Sequence, residues 1–363
     1  MRALANVAIH SSQFPENVRR DLLESLSSRK INHKFHYDSL KQTQKWLALH
    51  QAYSPSRTDE DCAATYDRSF AAVAARIGSA SAHLIGLGCG GGQKDTRLLK
   101  LLQDQGKTVF YTPSDVSTAM VLVARQAAVA VIPSENCFPL VCDLATADDL
   151  PALIGGRILK IPRPDPTANE LRKTRADGLL SPALSSPEGG EGERIGSAQR
   201  LITFFGMIPN FEPQIILPKL AALLGAEDLL LLSANLSPGP DYERGLQRIM
   251  PLYDNALTRD WLMTLLLDLG VEASDGVLEF RIEEGPPGSG LKRVAAYFEF
   301  RRLRQIEADG QRFDFRSGES IRLFFSYRHT PALARSLLAD YGLRVREQWI
   351  TKSEEEGVFL ASR

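Results

Sequence analysis

Residues 82–115 read AHLIGLGCGGGQKDTRLLKLLQDQGKTVFYTPSD. The segment opens on a short apolar run, 83–87, and passes into Gly88, Gly90, Gly91 and Gly92. Helical spacing follows over 95–103, with Leu98, Leu99, Leu101 and Leu102 as the apolar positions. A second apolar run, 108–112, leads to Asp115. Strand, glycine turn, helix, strand and carboxylate in that order make half of a nucleotide-binding βαβ unit. Glycine lets the backbone turn and approach a ligand without a Cβ clash. The helix start behind the turn offers free N–H groups and the positive end of the helix dipole. A carboxylate just past the second strand is placed to accept two hydrogen bonds from a ribose diol. The same pattern also fits a tight turn that binds nothing.

Working outward, 59–77 reads as an Ala-rich amphipathic helix, with Thr58 and Asp61 as its start signal. Downstream come a helix over 117–131, a strand over 138–142 ending at Asp143, and a short helix over 147–153. A strand over 200–205, a helix over 217–224 and the near-continuous apolar strand 228–234, DLLLLSA, complete the series. Such an apolar run suits a parallel strand buried on both faces. The alternation predicts a doubly wound α/β sheet over 61–239, in which ligands bind outside the carboxyl ends of the strands. Residues 88–92, Asp115, Asp143 and 206–210 all fall at such ends. Within this region 163–199 is dense in Pro, Gly, Ser, Glu and Arg and is expected to be a flexible insertion.

The flanks differ in character. Residues 1–60 mix short helical segments (16–28 and 42–50) with aromatic, polar turns. Residues 240–326 hold a helix over 259–269 and strands over 276–283, 293–302 and 320–327. These two stretches are expected to pair as a second, α+β, substrate-facing domain. Residues 327–363, a helix and a closing hairpin, are expected to return to the first sheet.

Composition is that of an ordinary globular chain: 363 residues, 44% hydrophobic, 24% charged. A net charge of −1 gives no electrostatic case for nucleic acid or an anionic membrane. No apolar stretch reaches the length of a membrane span, and the N-terminus is too weakly apolar for a signal peptide. Cys62, Cys89, Cys137 and Cys142 show no metal-ligand spacing, which together with the above predicts a reduced, cytoplasmic setting. The expected partner is a small molecule, and the expected state a monomer or weak homodimer.

The glycine pattern Gly88-x-Gly90-x-Gly92 is GxGxG, not the dinucleotide GxGxxG, and resembles the first motif of class I S-adenosylmethionine-dependent methyltransferases. Further matches run in order along the chain. They are Tyr37-Asp38, the segment YSPSRT at 53–58, LGCG at 87–90 with Lys94, and YTPSDVS at 111–117 containing Asp115. Asp143-Leu144, FGMIPNFEP at 205–213 with Asn210, Tyr253-Asp254 and Ser326 complete the set. Taken together they resemble the histidine-specific methyltransferase family, whose best-known member trimethylates the α-amine of L-histidine. A fungal relative methylates dimethylallyltryptophan.

The resemblance implies S-adenosylmethionine as cofactor and a Rossmann-like class I methyltransferase fold. It implies that Gly88, Cys89, Gly90 and Lys94 line the cofactor's amino-acid end. Asp115 would bind the ribose, and Asp143 with Leu144 the adenine. Asn210 and Tyr253 would hold a substrate α-carboxylate, with Tyr37 and Tyr53 beside the amine and side chain. Tyr37 would orient the amine rather than deprotonate it, since a phenol near its ordinary pKa of about 10 is a poor base at neutrality. Taken singly, Asp143 also reads as a helix cap, Asn210 as a turn residue and Tyr253 as packing.

Two departures stand out. The family's pocket glutamate, two residues before the serine, is Phe324 here. A phenyl cannot pair with imidazole, and an unpaired buried polar ring loses about 1–3 kcal/mol. The expected substrate is therefore an amino acid, or a molecule derived from one, other than histidine. The acid usual at the end of the first strand is Gly86. Rival readings keep the cofactor but use an oxygen, ring nitrogen or sulfur nucleophile, or retain the fold as a non-catalytic binding module.

Overall fold

Alternate residues of the central strands take opposite sides of one sheet. Leu84 and Leu231 join a core cluster on one face, while Ile85, Leu230 and Leu232 join the cluster on the other. This is the period-two consequence of a pleated strand buried on both faces. The computed structural model describes residues 6–158 and 198–363. Its strands are β1 (Ala8–Ile9), β2 (Ser81–Leu87), β3 (Thr108–Asp115), β4 (Leu140–Val141), β5 (Gln199–Phe205) and β6 (Leu229–Asn235). They continue with β7 (Gly276–Glu284), β8 (Lys292–Phe300), β9 (Arg304–Ala308), β10 (Gln311–Phe315), β11 (Ser320–Arg328), β12 (Arg344–Ile350) and β13 (Glu356–Ser362).

The large sheet has the order β1-β4-β3-β2-β5-β6-β13-β12. Its strands from β1 to β6 run parallel, and β13 and β12 close it antiparallel. Helices Glu60–Arg76 and Gln93–Asp104 cover one face, through Phe70, Val73, Leu98 and Leu102. Helices Pro213–Leu223 and Pro331–Asp340 cover the other, through Ile216, Leu220 and Leu338. The fold is the α/β, class I methyltransferase architecture expected, with the strand order reversing between β2 and β5.

A second, antiparallel sheet, β11-β8-β7, stands beside the first. It shares a core with helices Pro15–Ser28 and Ala256–Asp268 and with the hairpin β9–β10, through Leu26, Trp261, Leu266, Phe298 and Phe315.

Several local expectations change. Helix Glu60–Arg76 is capped by Asp59, whose carboxylate accepts the Asp61 N–H at 2.9 Å, while Thr58 ends a separate turn, Pro55–Thr58. Residues 8–9 belong to the large sheet, pairing with Leu140 and Val141. Of the strand expected over 138–142 only Leu140 and Val141 form β4, although the Phe138 and Cys142 N–H groups also donate to the Tyr111 and Asp115 carbonyls at 2.8 and 3.0 Å. The helix expected from 217 starts at Pro213, where a missing N–H costs nothing. Hairpin β9–β10 and helix Tyr242–Ile249 were not anticipated, the latter because the preceding SPGP reads as loop. The insertion expected over 163–199 lies outside the described residues up to 197, and Gln199 already belongs to β5.

Candidate active site

β2 ends at Leu87 and the chain turns through Gly88 (φ 61°) and Gly90 (φ 52°) to Gly92 (φ 72°), the cap of helix Gln93–Asp104. All three angles lie in the left-handed region that favours glycine. At 92 space demands it too, since a Cβ would sit 2.8 Å from the Ala124 backbone. The Cys89 N–H donates to the Ser114 carbonyl at 2.9 Å, and the Gly90 N–H donates to Asp115 Oδ2 at 3.0 Å. The Ser117 N–H donates to the other Asp115 oxygen at 3.0 Å. The turn and the β3 carboxylate are thus one hydrogen-bonded unit. Burial raises the Asp115 pKa, against the opposing pull of the Ser117, Gly90 and Val116 amides.

Asp143 follows β4. It accepts the Ala145 N–H at 2.9 Å, and its own N–H donates to Ser12 at 3.0 Å. Its second oxygen lies 3.6 Å from the Lys34 ammonium, which also pairs with Asp21. All three side chains are buried. Leu144, also buried, sits beside them on the cavity wall.

Behind the glycine turn lies a carboxylate that the sequence did not single out. A Cβ on residue 86 would overlap the Asp95 carboxyl group, so glycine at the end of β2 makes room for it. Asp95 accepts from Tyr111 at 2.7 Å and Thr203 at 2.8 Å, and burial pushes its pKa up to about 6. Lys94 points elsewhere. Its ammonium donates to Tyr66 Oη at 2.7 Å and lies 3.7 Å from Glu356. Burial opposes ionisation of Glu356, yet Lys94 and hydrogen bonds from Tyr66, Cys62 and Ser233 hold its carboxyl below the usual range.

The opposite wall is aromatic. Tyr37 packs edge-on to Trp46 at 5.8 Å and against Trp261 at 5.6 Å. Phe324 sits 5.9 Å from Trp261, 6.1 Å from Tyr253 and 5.2 Å from His33. Burial, and then the nearby Asp115, hold the Tyr37 hydroxyl above its ordinary pKa. Burial drives His33 down to about 3, so it is neutral. Tyr253 Oη donates to Ser326 at 2.9 Å and accepts from Arg328 Nε at 3.0 Å. Asn210 ends the turn Ile208–Asn210, and its side-chain amide is used by no other residue among those described. Tyr53 stands at the margin, 37% exposed.

Between the walls is a cavity of about 610 Å³. That falls in the range of small-molecule and cofactor sites. Tyr37, Tyr53, Gly88, Cys89, Gly90, Lys94, Asp115, Asp143, Leu144, Asn210, Tyr253, Phe324 and Ser326, the residues chosen from sequence, all line it. Lys34, Trp46, Asp95, Trp261, Arg328 and Glu356 line it as well and were missed. Arg328 had a usable signal: Phe324, Ser326 and Arg328 recur at the strand period on β11. Lys34 and Glu356 had none, because the residues that bring them to the cavity, Asp143 for one and Tyr66 and Lys94 for the other, lie far away in sequence.

A glycine-rich turn, a carboxylate at the end of the next strand and a second one at the strand beyond suit a nucleoside-type cofactor. With this sheet, they define a class I S-adenosylmethionine-dependent methyltransferase. Within that class the chain belongs to the histidine-specific, SAM-dependent methyltransferase family, whose model matches residues 18–159 and 188–363. S-adenosylmethionine is its cofactor.

No functionally curated protein matches the sequence. Solved structures match at the level of fold. The magnesium protoporphyrin IX methyltransferase of Synechocystis, with bound SAH, has 13% identity and a TM-score of 0.41, covering 91% of this chain and 97% of its own. The CcbJ methyltransferase of Streptomyces caelestis has 12% identity and a TM-score of 0.36, covering 82% and 88%. The mitomycin 7-O-methyltransferase MmcR has 14% identity and a TM-score of 0.38, covering 97% and 69%. Among the described residues no helix is long and apolar enough to cross a membrane, and no cluster could hold a metal.

Proposed function

We propose that this enzyme N-methylates the α-amine of an amino acid, or of a small molecule derived from one, other than histidine. The observation that carries the reading is Phe324, set among Tyr253, Trp261 and His33 where the family's pocket carries a carboxylate. A side chain held there meets ring faces and edges, with no anion to pair with imidazole.

Bound, the cofactor supplies an electrophilic methyl group. Asp115, fixed by the Gly90 and Ser117 amides, would accept from the ribose hydroxyls. Asp143 and Leu144 would hold the adenine, and Gly88, Cys89, Gly90 and Lys94 the amino-acid end. Asn210 would take the substrate α-carboxylate, with Tyr253 acting on it through Ser326, to which its one hydroxyl hydrogen is given. Tyr53 would close the margin of the site.

An ammonium has no lone pair, so the amine must be neutral before attack. Tyr37 is held protonated by burial and by Asp115, so it does not remove that proton. Its oxygen can accept a hydrogen bond from the amine and so turn the lone pair toward the methyl group. The remaining work of the site is alignment and exclusion of water.

The test is incubation with methyl-labelled S-adenosylmethionine and a panel of amino acids, with the methylated atom located by fragment mass spectrometry. A methyl on the α-nitrogen of a non-histidine amino acid is expected. Transfer only to oxygen, sulfur or a ring nitrogen, or to histidine above all others, would overturn the reading.

A further inference from the structure

We propose that Arg328 supplies the counter-charge for the substrate's carboxylate. The inference rests on the amino-acid reading above and adds to it the group that carries the charge. Phe324, Ser326 and Arg328 alternate along β11 and line the cavity together. Arg328 is only 5% exposed. Its Nε donates to Tyr253 Oη at 3.0 Å, and its Nη1 donates to the Leu236 and Glu355 carbonyls at 2.9 and 3.4 Å. Nη2 has no protein acceptor among the described residues. No Asp or Glu pairs with this guanidinium among them either.

Buried charges in proteins are normally paired. Elsewhere Lys34 pairs with Asp21 and Asp143, and Asp275 pairs with Arg302 and Arg304, while Asp95, a buried acid without an ion pair, is held by the Tyr111 and Thr203 hydroxyls. A buried guanidinium on a cavity wall, lacking an acid, is an anion site. Guanidinium matches a planar carboxylate better than any other cationic side chain does.

The hydrogen-bond directions strengthen this assignment. Arginine only donates, so Tyr253 must accept from it and send its own proton to Ser326. Ser326 accepts that bond, which leaves its hydroxyl hydrogen for a ligand. The chain Arg328–Tyr253–Ser326 therefore presents two donors to one anion: Nη2 directly and the serine hydroxyl at the end of a polarised relay. Asn210 stands on the same cavity, with its amide uncommitted.

The experiment compares matched pairs with and without the carboxylate: L-tryptophan and tryptamine, L-phenylalanine and phenethylamine, L-histidine and histamine. Methyl transfer and S-adenosylhomocysteine affinity are measured for wild type, Arg328→Met and Arg328→Lys. The wild type is expected to methylate at least one acid and to prefer it to its paired amine by at least about 100-fold in kcat/KM. In Arg328→Met the KM for that acid rises by a similar factor, the preference collapses, and kcat and S-adenosylhomocysteine affinity change little. Arg328→Lys recovers part of the loss. A wild type that methylates the amine as well as the acid overturns the proposal even if no variant folds. So does an Arg328→Met enzyme with unchanged KM and preference, while either result leaves α-amine methylation standing. A fall in S-adenosylhomocysteine affinity matching the rise in KM would assign the charge to the cofactor's carboxylate instead. If the wild type binds S-adenosylhomocysteine but methylates none of the acids, the amino-acid reading and this inference fall together.

Discussion

The two walls of the cavity are built by opposite means. The cofactor-side wall is made of backbone turns and short carboxylates at consecutive strand ends, gathered within 86–143. The facing wall is made of large side chains from 33–53, 210–261 and 322–328, brought together by a second sheet. In the first, position follows from the sheet: once β2, β3 and β4 are parallel neighbours, their ends must meet. In the second, position follows from packing among rings, and each ring depends on the others. The first wall is therefore suited to holding one invariant cofactor. The second, on the function proposed above, would change its substrate by exchanging a side chain.

Lys34 is the place where the comparison is most easily broken. It comes from the second region, yet its ammonium lies between Asp21 and the cofactor-side Asp143. Removing one partner of a buried ion cluster leaves charge uncompensated, at about 3–5 kcal/mol. Lys34→Met should lose that much in urea unfolding, with weaker S-adenosylhomocysteine binding alongside. A loss below about 1 kcal/mol would show that the two walls are stable independently.

Asp95 sharpens the cofactor-side account. Burial lifts its pKa from 3.8 to about 6. Between those values the folded chain keeps a proton that the unfolded chain has released. The stabilisation is complete below pH 3.8 and is lost as pH rises through about 6, at 1.36 kcal/mol per pH unit. Asp95→Asn removes the ionisation and should gain on the wild type by roughly 2–3 kcal/mol between pH 4 and pH 7. Parallel unfolding curves for the two proteins across that range would remove the argument that Gly86 exists to house a buried acid.

Asp115 tests the same wall by binding. Two backbone amides fix its carboxylate, and charged hydrogen bonds are worth about 1.5–3 kcal/mol each. Asp115→Ala should weaken S-adenosylhomocysteine by about 100-fold or more in a calorimetric titration. An unchanged affinity would detach the glycine turn from the cofactor.

How far each wall could be read from sequence follows from this difference. Gly88, Asp115 and Asp143 were legible because a local rule, strand then turn then carboxylate, repeats along the chain. Asp95 escaped because its meaning lies in the space above Gly86, which only the folded backbone reveals. Glu356 escaped because it meets Tyr66 and Lys94 only when β13 closes the sheet beside β6. The aromatic wall was legible only by resemblance. Nothing in 33–53 predicts that Tyr37 will meet both Trp46 and Trp261, and the hairpin that shares their core went unread. Phe324 was found as a departure from a family pattern, not from spacing.

That departure is also the smallest effect predicted here and the one aimed at the exchangeable wall. Phe324→Glu would restore a carboxylate among Tyr253, Trp261 and His33. The new acid would be desolvated, so it would favour a partner that can share a proton, and the imidazole of L-histidine is such a partner. His33, neutral and 5.2 Å from the Phe324 ring, would compete for it and limit the gain. The kcat/KM for L-histidine should rise by about tenfold, or about 1.4 kcal/mol, while S-adenosylhomocysteine affinity stays the same. If histidine gains nothing and the original substrate loses nothing, residue 324 does not choose the substrate, and the aromatic wall acts as packing alone.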